Sequence, residues 1–205
     1  MSRAQVVTVV TLALGTAGLA VLLRLEPGDP FFVAGGLAVA LLWTAGALAA
    51  GPVRIADDGA GLRAVGLGAG AGAAAAGACL AAGFVVAQFS FLREPASEVL
   101  AHARADTALV VSMALINAIA EELFFRGALY DAVPQRLAIP LTTAAYLLTT
   151  LGSGVALLSV AAVFLGLITA WLRRVTGGVL APVLTHLTWS VAMITLLPDV
   201  LALGR

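Results

Sequence analysis

Residues 121–126 read EELFFR and place three charges inside a segment that is otherwise apolar. The residues before them, ALVVSMALINAIA at 108–120, carry no charge, and the whole segment is long enough to cross a bilayer as a helix. A charge near the centre of a membrane helix costs about 2.5–3.5 kcal/mol on insertion scales, so charges that remain there usually have a function. We therefore expect residues 121–126 to carry the site of this protein.

Helical geometry separates the two glutamates of this stretch. Residues four apart lie on one face of a helix, and an acid that precedes a base pairs favourably, so Glu122 is expected to pair with Arg126. Glu121 points about 100° away, on the stripe of Asn117 and Phe125, and has no counter-ion there. Two acids in such different surroundings are typical of a general base beside a structural charge. The alternative is an interfacial ion pair near a helix end, which leaves Glu121 unexplained.

The composition assigns the chain to the integral membrane proteins. Of its 205 residues, 61% are hydrophobic and 11% are charged, whereas soluble domains carry about 25% charged residues. The formal net charge is zero, so no basic surface predicts a nucleic-acid partner. The lipid bilayer is the first partner that the sequence predicts.

Apolar runs between polar turns predict an all-α, polytopic membrane helical bundle with about seven transmembrane helices. The runs cover 5–24, 31–50, 66–90, 107–130, a hairpin at 137–172 bent at 152–154, and 179–197. The first arm of the hairpin has only about 15 residues, or about 22 Å, so it crosses obliquely or turns back as a re-entrant arm. The polar stretch 91–106, which includes His102, is expected to form a short interfacial segment.

The third run is rich in alanine and glycine. Gly66/Gly70 and Gly68/Gly72 both repeat the small-xxx-small spacing that lets membrane helices approach closely. We interpret both pairs as packing positions without chemistry.

Arginines in the short loops favour a cytoplasmic N-terminus for a multi-pass protein of the cell membrane. With seven crossings, six of these arginines fall on one side and four on the other. In that orientation Glu121 and His186 both lie about 12–14 Å from the cytoplasmic ends of their helices. The two residues are therefore expected to share one layer of the membrane.

The last run contains a second candidate site, because His186 and Ser190 lie four residues apart on one helix face. An intramembrane histidine is rare and indicates a functional site by default. The alternative is a packed histidine that bonds to a neighbouring helix.

The motifs together resemble a known family. The pattern EExxxR at 121–126, followed by Gly127, is similar to the first motif of the CAAX-protease and bacteriocin-processing (CPBP) family of intramembrane endopeptidases. That family's third motif, a histidine followed four residues later by Asn or Asp, is similar to His186 with Ser190. The stretch GVLAPVLT at 178–185 also resembles the lead-in to that motif.

The resemblance covers roughly residues 90–197. It implies a variable three-helix membrane part at 1–90 and a protease-like core at 91–205, within one integral membrane unit. The family's second motif, an aromatic residue followed four residues later by histidine, falls on Tyr146 and Thr150. The histidine of that motif is therefore replaced by threonine in this chain.

The resemblance implies hydrolysis of a peptide bond by a glutamate-activated water. Glu121 would act as the general base, while the Glu122–Arg126 pair would fix the helix and the electrostatic field around Glu121. His186, helped by the hydroxyl of Ser190, would donate to the developing oxyanion.

Thr150 leaves two functions open, because its hydroxyl can bond to the water but cannot carry a proton at neutral pH. The first is an intramembrane endopeptidase for a membrane-associated peptide or protein substrate. The second is a non-catalytic membrane binding or scaffold protein on the same fold. A water-accessible cavity that joins Glu121, His186 and Thr150 would favour the enzyme.

No cofactor is predicted, and a metal ion is the less favoured alternative, with His186 and one glutamate as its candidate ligands. Glu121 and Glu122 point about 100° apart on a helix, so they are poorly placed to bind one ion together. A catalytic zinc site needs about three protein ligands, and no His-Glu-x-x-His spacing occurs in the sequence.

Overall fold

The computed structural model describes residues 1–25, 29, 31–89, 107–152 and 156–203, and the regular structure of these residues is entirely helical. The helices before residue 90 are α1 (Arg3–Leu22), α2 (Phe31–Ala50) and α3 (Gly61–Ala87). Helix α4 has three parts, an α-helix over Thr107–Glu122, a π-helix over Leu123–Leu129 and a last α-helical turn over Tyr130–Ala132. After a 3-10 turn (Gln135–Leu137) come α5 (Ala138–Leu151), α6 (Ala156–Thr176) and α7 (Leu180–Ala202).

Six of these described helices are long and apolar enough to span a bilayer, namely α1, α2, α3, α4, α6 and α7. Helix α5 has 14 residues and is about 21 Å long at 1.5 Å per residue, shorter than the hydrocarbon core of about 30 Å. The prediction of an all-α polytopic bundle with one short arm is confirmed. The protein is a multi-pass membrane protein, while the orientation of its N-terminus and its location in the cell membrane stay predictions.

Two predicted segments fall outside the described residues. These are the polar stretch 91–106 with His102, and residues 153–154 of the predicted bend between α5 and α6.

Aromatic side chains pack α4 between α2 and α5. The ring of Trp43 in α2 is fully buried, 4.6 Å from the ring of Phe124 and 5.2 Å from that of Phe125. Phe125 in turn lies 5.0 Å from the ring of Tyr146 in α5. The two phenylalanines between Glu122 and Arg126 therefore anchor the charged motif at the centre of the bundle.

Helices of the predicted N-terminal part contact helices of the predicted core. Helix α2 packs on α4, and α3 packs along the length of α7. The division of the chain at residue 90 stays a prediction.

One of the two predicted glycine pairs forms the contact between α3 and α7. A Cβ atom added at Gly68 would lie 2.7 Å from the carbonyl oxygen of Ala181, and one at Gly72 would lie 2.8 Å from that of Thr185. The Thr185 hydroxyl donates to the Gly68 carbonyl at 3.0 Å. A Cβ at Gly66 or Gly70 would meet no atom within 4 Å. The spacing indicated close packing for both pairs, but only Gly68 and Gly72 face the neighbouring helix.

We expect Gly72→Ala to destabilise the protein and Gly70→Ala to leave its stability unchanged or slightly raised. The first substitution forces a methyl group against backbone that cannot turn aside, and overpacking of this kind costs about 1–3 kcal/mol. The second adds a methyl group in open space and improves helix propensity by up to about 1 kcal/mol. Thermal unfolding of both variants in one detergent measures the difference. Equal shifts in the two variants would contradict the α3–α7 packing.

Candidate active site

The charged motif lies where α4 changes from an α-helix into a π-helix. Glu121 and Glu122 end the α-helical part, and Arg126 lies within the π-helical residues Leu123–Leu129. π-Helical turns are rare and occur frequently at functional sites. The sequence carries no signal for this change from α- to π-helix. The expected contact between Glu122 and Arg126 nevertheless forms across it. Arg126 Nη1 donates to Glu122 Oε1 at 3.0 Å, which confirms the predicted ion pair.

Glu122 is shared between two basic side chains. Its Oε1 accepts from Arg126 and also lies 2.9 Å from Nδ1 of His186 in α7. Glu122 and Arg126 are fully buried, and His186 is 6% exposed. Helices α4 and α7 therefore bring the motif and His186 into one layer, as expected from their depths. The contact of His186 is with the paired glutamate Glu122, a partner that helix geometry alone did not indicate.

Arg126 also contacts α6. Its Nη2 donates to the carbonyl oxygen of Gly166 at 3.4 Å. A Cβ atom at Gly166 would lie 3.5 Å from the same nitrogen and 3.1 Å from Thr143 Cγ2 in α5. The glycine therefore allows α6 to pass close to both the guanidinium and α5.

Glu121 has a partner of its own. The hydroxyl of Tyr146 in α5 donates to Glu121 Oε2 at 2.8 Å, and both side chains are buried. No other hydrogen bond reaches the Glu121 carboxylate from the residues that the structure describes. Glu121 was expected to lack a counter-ion, and its partner is a neutral phenol that the sequence analysis did not identify. The sequence did contain a signal for this hydrogen bond. Tyr146 lies in an otherwise apolar helix, and a buried phenol usually finds a hydrogen-bond partner.

The ring of Tyr146 contacts the other half of the site. Arg126 Cζ lies 4.9 Å from its centroid, within the range of a cation–π contact. The His186 ring lies 6.3 Å away in an edge-on arrangement. Tyr146 thus touches the Glu122–Arg126–His186 group with its ring and Glu121 with its hydroxyl.

Thr150 lies one turn beyond Tyr146 and is 8% exposed. Its hydroxyl is within hydrogen-bond distance of two carbonyls of its own helix, those of Tyr146 at 3.2 Å and Leu147 at 2.9 Å. Both of these acceptors lie in α5, so these two contacts of the Thr150 hydroxyl stay within its own helix.

All six predicted site residues are buried in the bundle, the set being Glu121, Glu122, Arg126, Thr150, His186 and Ser190. Direct contacts join Glu122 with Arg126 and His186, while Glu121 is joined to this group through Tyr146. Ser190 lies one turn beyond His186 on α7 and is 7% exposed. The catalytic roles that the resemblance implies for these residues stay predictions.

An apolar groove of about 360 Å³ runs beside the site, between α3, α6 and α7. Its lining includes Cys79, Phe164 and Trp189. The Trp189 ring lies 6.3 Å from the ring of His186, and its Nε1 donates to Cys79 Sγ at 3.4 Å. The six predicted residues do not line this groove, so it differs from the predicted cavity between Glu121, His186 and Thr150.

Arg173 supports the π-helical segment from α6. The predicted hairpin ends at residue 172, but the helix continues to Thr176, so Arg173 lies within the last turn of α6 and is 5% exposed. Its Nε donates to the carbonyl oxygen of Arg126 at 2.7 Å, and its Nη2 donates to Asp131 Oδ1 at 2.9 Å. The backbone that carries Arg126 is thus held from α6 as well as within α4.

No three side chains of His, Cys, Asp or Glu lie close enough together to hold a metal ion among the described residues. The expectation that the protein needs no cofactor stays a prediction.

Comparison with known families bears on the same part of the chain. Residues 103–192 match the family model described as "Type II CAAX prenyl endopeptidase Rce1-like". The match covers a little under half of the 205-residue chain and includes all six predicted site residues. It confirms the resemblance to the CPBP family of intramembrane proteases. Neither the curated proteins nor the solved structures gave a significant match.

Proposed function

From the premise that residues 103–192 are Rce1-like, we propose that the protein is an intramembrane endopeptidase in which Glu121 activates the attacking water. One observation carries this proposal. Two adjacent, buried carboxylates have different partners, because Glu122 is held between Arg126 and His186, while Glu121 accepts one hydrogen bond from the neutral Tyr146. An acid without a cationic partner at hydrogen-bond distance, beside a neutralised one, suits proton transfer.

Glu121 begins the reaction as the proton acceptor. Its Oε1 takes a proton from water, and the water oxygen adds to the scissile carbonyl carbon. The same proton then passes to the leaving amide nitrogen as the carbon–nitrogen bond breaks. Tyr146 occupies Oε2, so Oε1 is the oxygen that performs both transfers.

His186 stabilises the negative charge that develops on the carbonyl oxygen. Its Nδ1 faces Glu122, which leaves Nε2 for the substrate. A hydrogen on Nε2 is then placed to be donated to the oxyanion, while Nδ1 keeps its contact with Glu122. A single donor of this kind is worth about 10²–10³ in rate in acyl-transfer enzymes. Ser190 lies one turn along the same helix, and its hydroxyl assists His186 in stabilising the oxyanion.

The substrate class is a membrane-associated peptide or protein. The matched family is named for prenyl endopeptidases, and the site chemistry described above acts on the peptide bond alone. We therefore propose hydrolysis of a peptide bond. The assay below tests whether the substrate must carry a prenyl group.

The test is cleavage by the purified protein in lipid nanodiscs. Membrane-anchored peptides are offered in prenylated, acylated and unmodified forms, and products are identified by mass spectrometry. Wild type is expected to cleave at least one form, and Glu121→Gln is expected to cleave none while inserting and unfolding as wild type does. Equal cleavage by Glu121→Gln would refute the assignment of the base.

A non-catalytic binding or scaffold protein is the second candidate. The observation in its favour is Thr150, which stands where the family has a histidine and whose hydroxyl donates within its own helix. Wild type would then cleave no peptide but would still bind membrane-anchored peptides.

A further inference from the structure

Helix α5 reaches the proposed base through Tyr146. The Tyr146 hydroxyl lies 2.8 Å from Glu121 Oε2, and the tyrosine side chain is 6% exposed. Thr150, one turn later, directs its hydroxyl to carbonyls of α5. The hydrogen-bond donor that α5 presents to Glu121 is therefore the phenol of Tyr146.

Contacts on several sides fix the position of that phenol. The ring packs at 5.0 Å from Phe125, and the Arg126 guanidinium carbon lies 4.9 Å from its centroid. A phenylalanine at 146 could make both contacts equally well. The hydroxyl of Tyr146 therefore adds one thing to the packing, which is a hydrogen bond to Glu121.

We infer that Tyr146 is the positioning residue of the proposed base, a role that rests on the proposed function. Its hydroxyl holds Glu121 Oε2 and so orients Oε1 toward the attacking water. Its ring contacts the guanidinium of Arg126 and so links this carboxylate to the Glu122–Arg126–His186 group. In this chain α5 thus orients Glu121 with a phenol at 146, while position 150 lacks the histidine.

The first measurement compares the kinetics of Tyr146→Phe with those of wild type. The substitution keeps the ring and removes one hydrogen bond to a charged group, a loss that corresponds to about 10- to 100-fold in rate. We expect kcat to fall by about 10- to 100-fold while KM stays unchanged, because in the proposed role the phenol acts on Glu121 and not on the substrate. Tyr130→Phe, at the only other tyrosine of the chain, is the matched control and should leave both constants unchanged. An unchanged kcat in a folded Tyr146→Phe protein would overturn the inference.

The second measurement detects the contact without any activity. Tyr146→Phe should lower the melting temperature of wild type, because it removes a buried hydrogen bond. It should not lower the melting temperature of Glu121→Leu, where the phenol has already lost its acceptor. Equal decreases in both backgrounds would show that the two side chains are not coupled and would overturn the inference.

The two measurements separate failure of the inference from failure of the proposed function. Wild type without cleavage but with coupled melting temperatures would refute the endopeptidase, and the positioning role with it, while the contact itself would stand. Cleavage that depends on Glu121 but not on the Tyr146 hydroxyl would refute the positioning role alone.

Discussion

Replacing Glu122 by Gln is expected to lower the free energy of unfolding by about 3–5 kcal/mol, the usual cost of leaving one member of a buried ion pair uncompensated. Arg126 is fully buried, and Glu122 Oε1 is its anionic partner at 3.0 Å. The substitution also removes the carboxylate that His186 contacts at 2.9 Å. Thermal unfolding of the purified variant in detergent measures the loss.

Glu121→Gln is the matched control for this change. Glutamine at 121 keeps an oxygen that can accept from the Tyr146 hydroxyl, so its stability should stay within about 1 kcal/mol of wild type. In the Glu122→Gln background, Arg126→Met should restore part of the lost stability, because an apolar replacement of a buried ion pair is often neutral. A larger loss for Glu121→Gln than for Glu122→Gln would reverse the roles that we assign to the two acids.

Replacing Thr150 by His is expected to raise peptide cleavage by about 10²–10⁴-fold, the usual contribution of a positioned acid–base group. Thr150 lies one turn from Tyr146, whose hydroxyl contacts Glu121, so an imidazole at 150 would lie on the side of α5 that faces the proposed base. This contribution corresponds to about 3–5 kcal/mol of the barrier. Single-turnover cleavage of the same membrane-anchored peptides by wild type and by the variant gives the two rates.

Two further variants make this result decisive. Thr150→Asn adds a polar group that cannot take up or release a proton at neutral pH, so it should give no comparable gain. Thr150→His combined with Glu121→Gln should lose the gain, because the base is missing. No gain in a correctly folded Thr150→His protein, together with an inactive wild type, would favour the scaffold protein. In that case the larger side chain should also reduce stability through overpacking.

The interactions that the sequence predicted correctly are local or depend on composition. Glu122 and Arg126 meet because residues four apart on a helix must lie on one face, and this contact survives the change to a π-helix. The bundle and its short arm follow from the length of the apolar runs, because a bilayer demands about 20 residues per crossing. The common depth of the motif and His186 follows from counting residues to the helix ends.

The partner of Glu121 and the second partner of Glu122 depended on the tertiary structure. Tyr146 lies 25 residues from Glu121, and His186 lies 64 residues from Glu122. Which side chains meet over such separations depends on how each helix is rotated about its own axis. Sequence reasoning therefore named Tyr146 only as an aromatic position and gave Glu121 no partner.

The rotation of a membrane helix is hard to obtain from sequence for a physical reason. In a soluble protein the apolar face marks the core, but lipid is as apolar as the core, so a membrane helix is apolar on every side. Gly70 and Gly72 of α3 show the result, because they have the same spacing signal while only Gly72 meets α7. The sequence by itself determined the membrane bundle, the Glu122–Arg126 pair and the family motifs. The tertiary structure decided which faces meet, and with them the partner of Glu121, the second partner of Glu122 and the partners of Arg173.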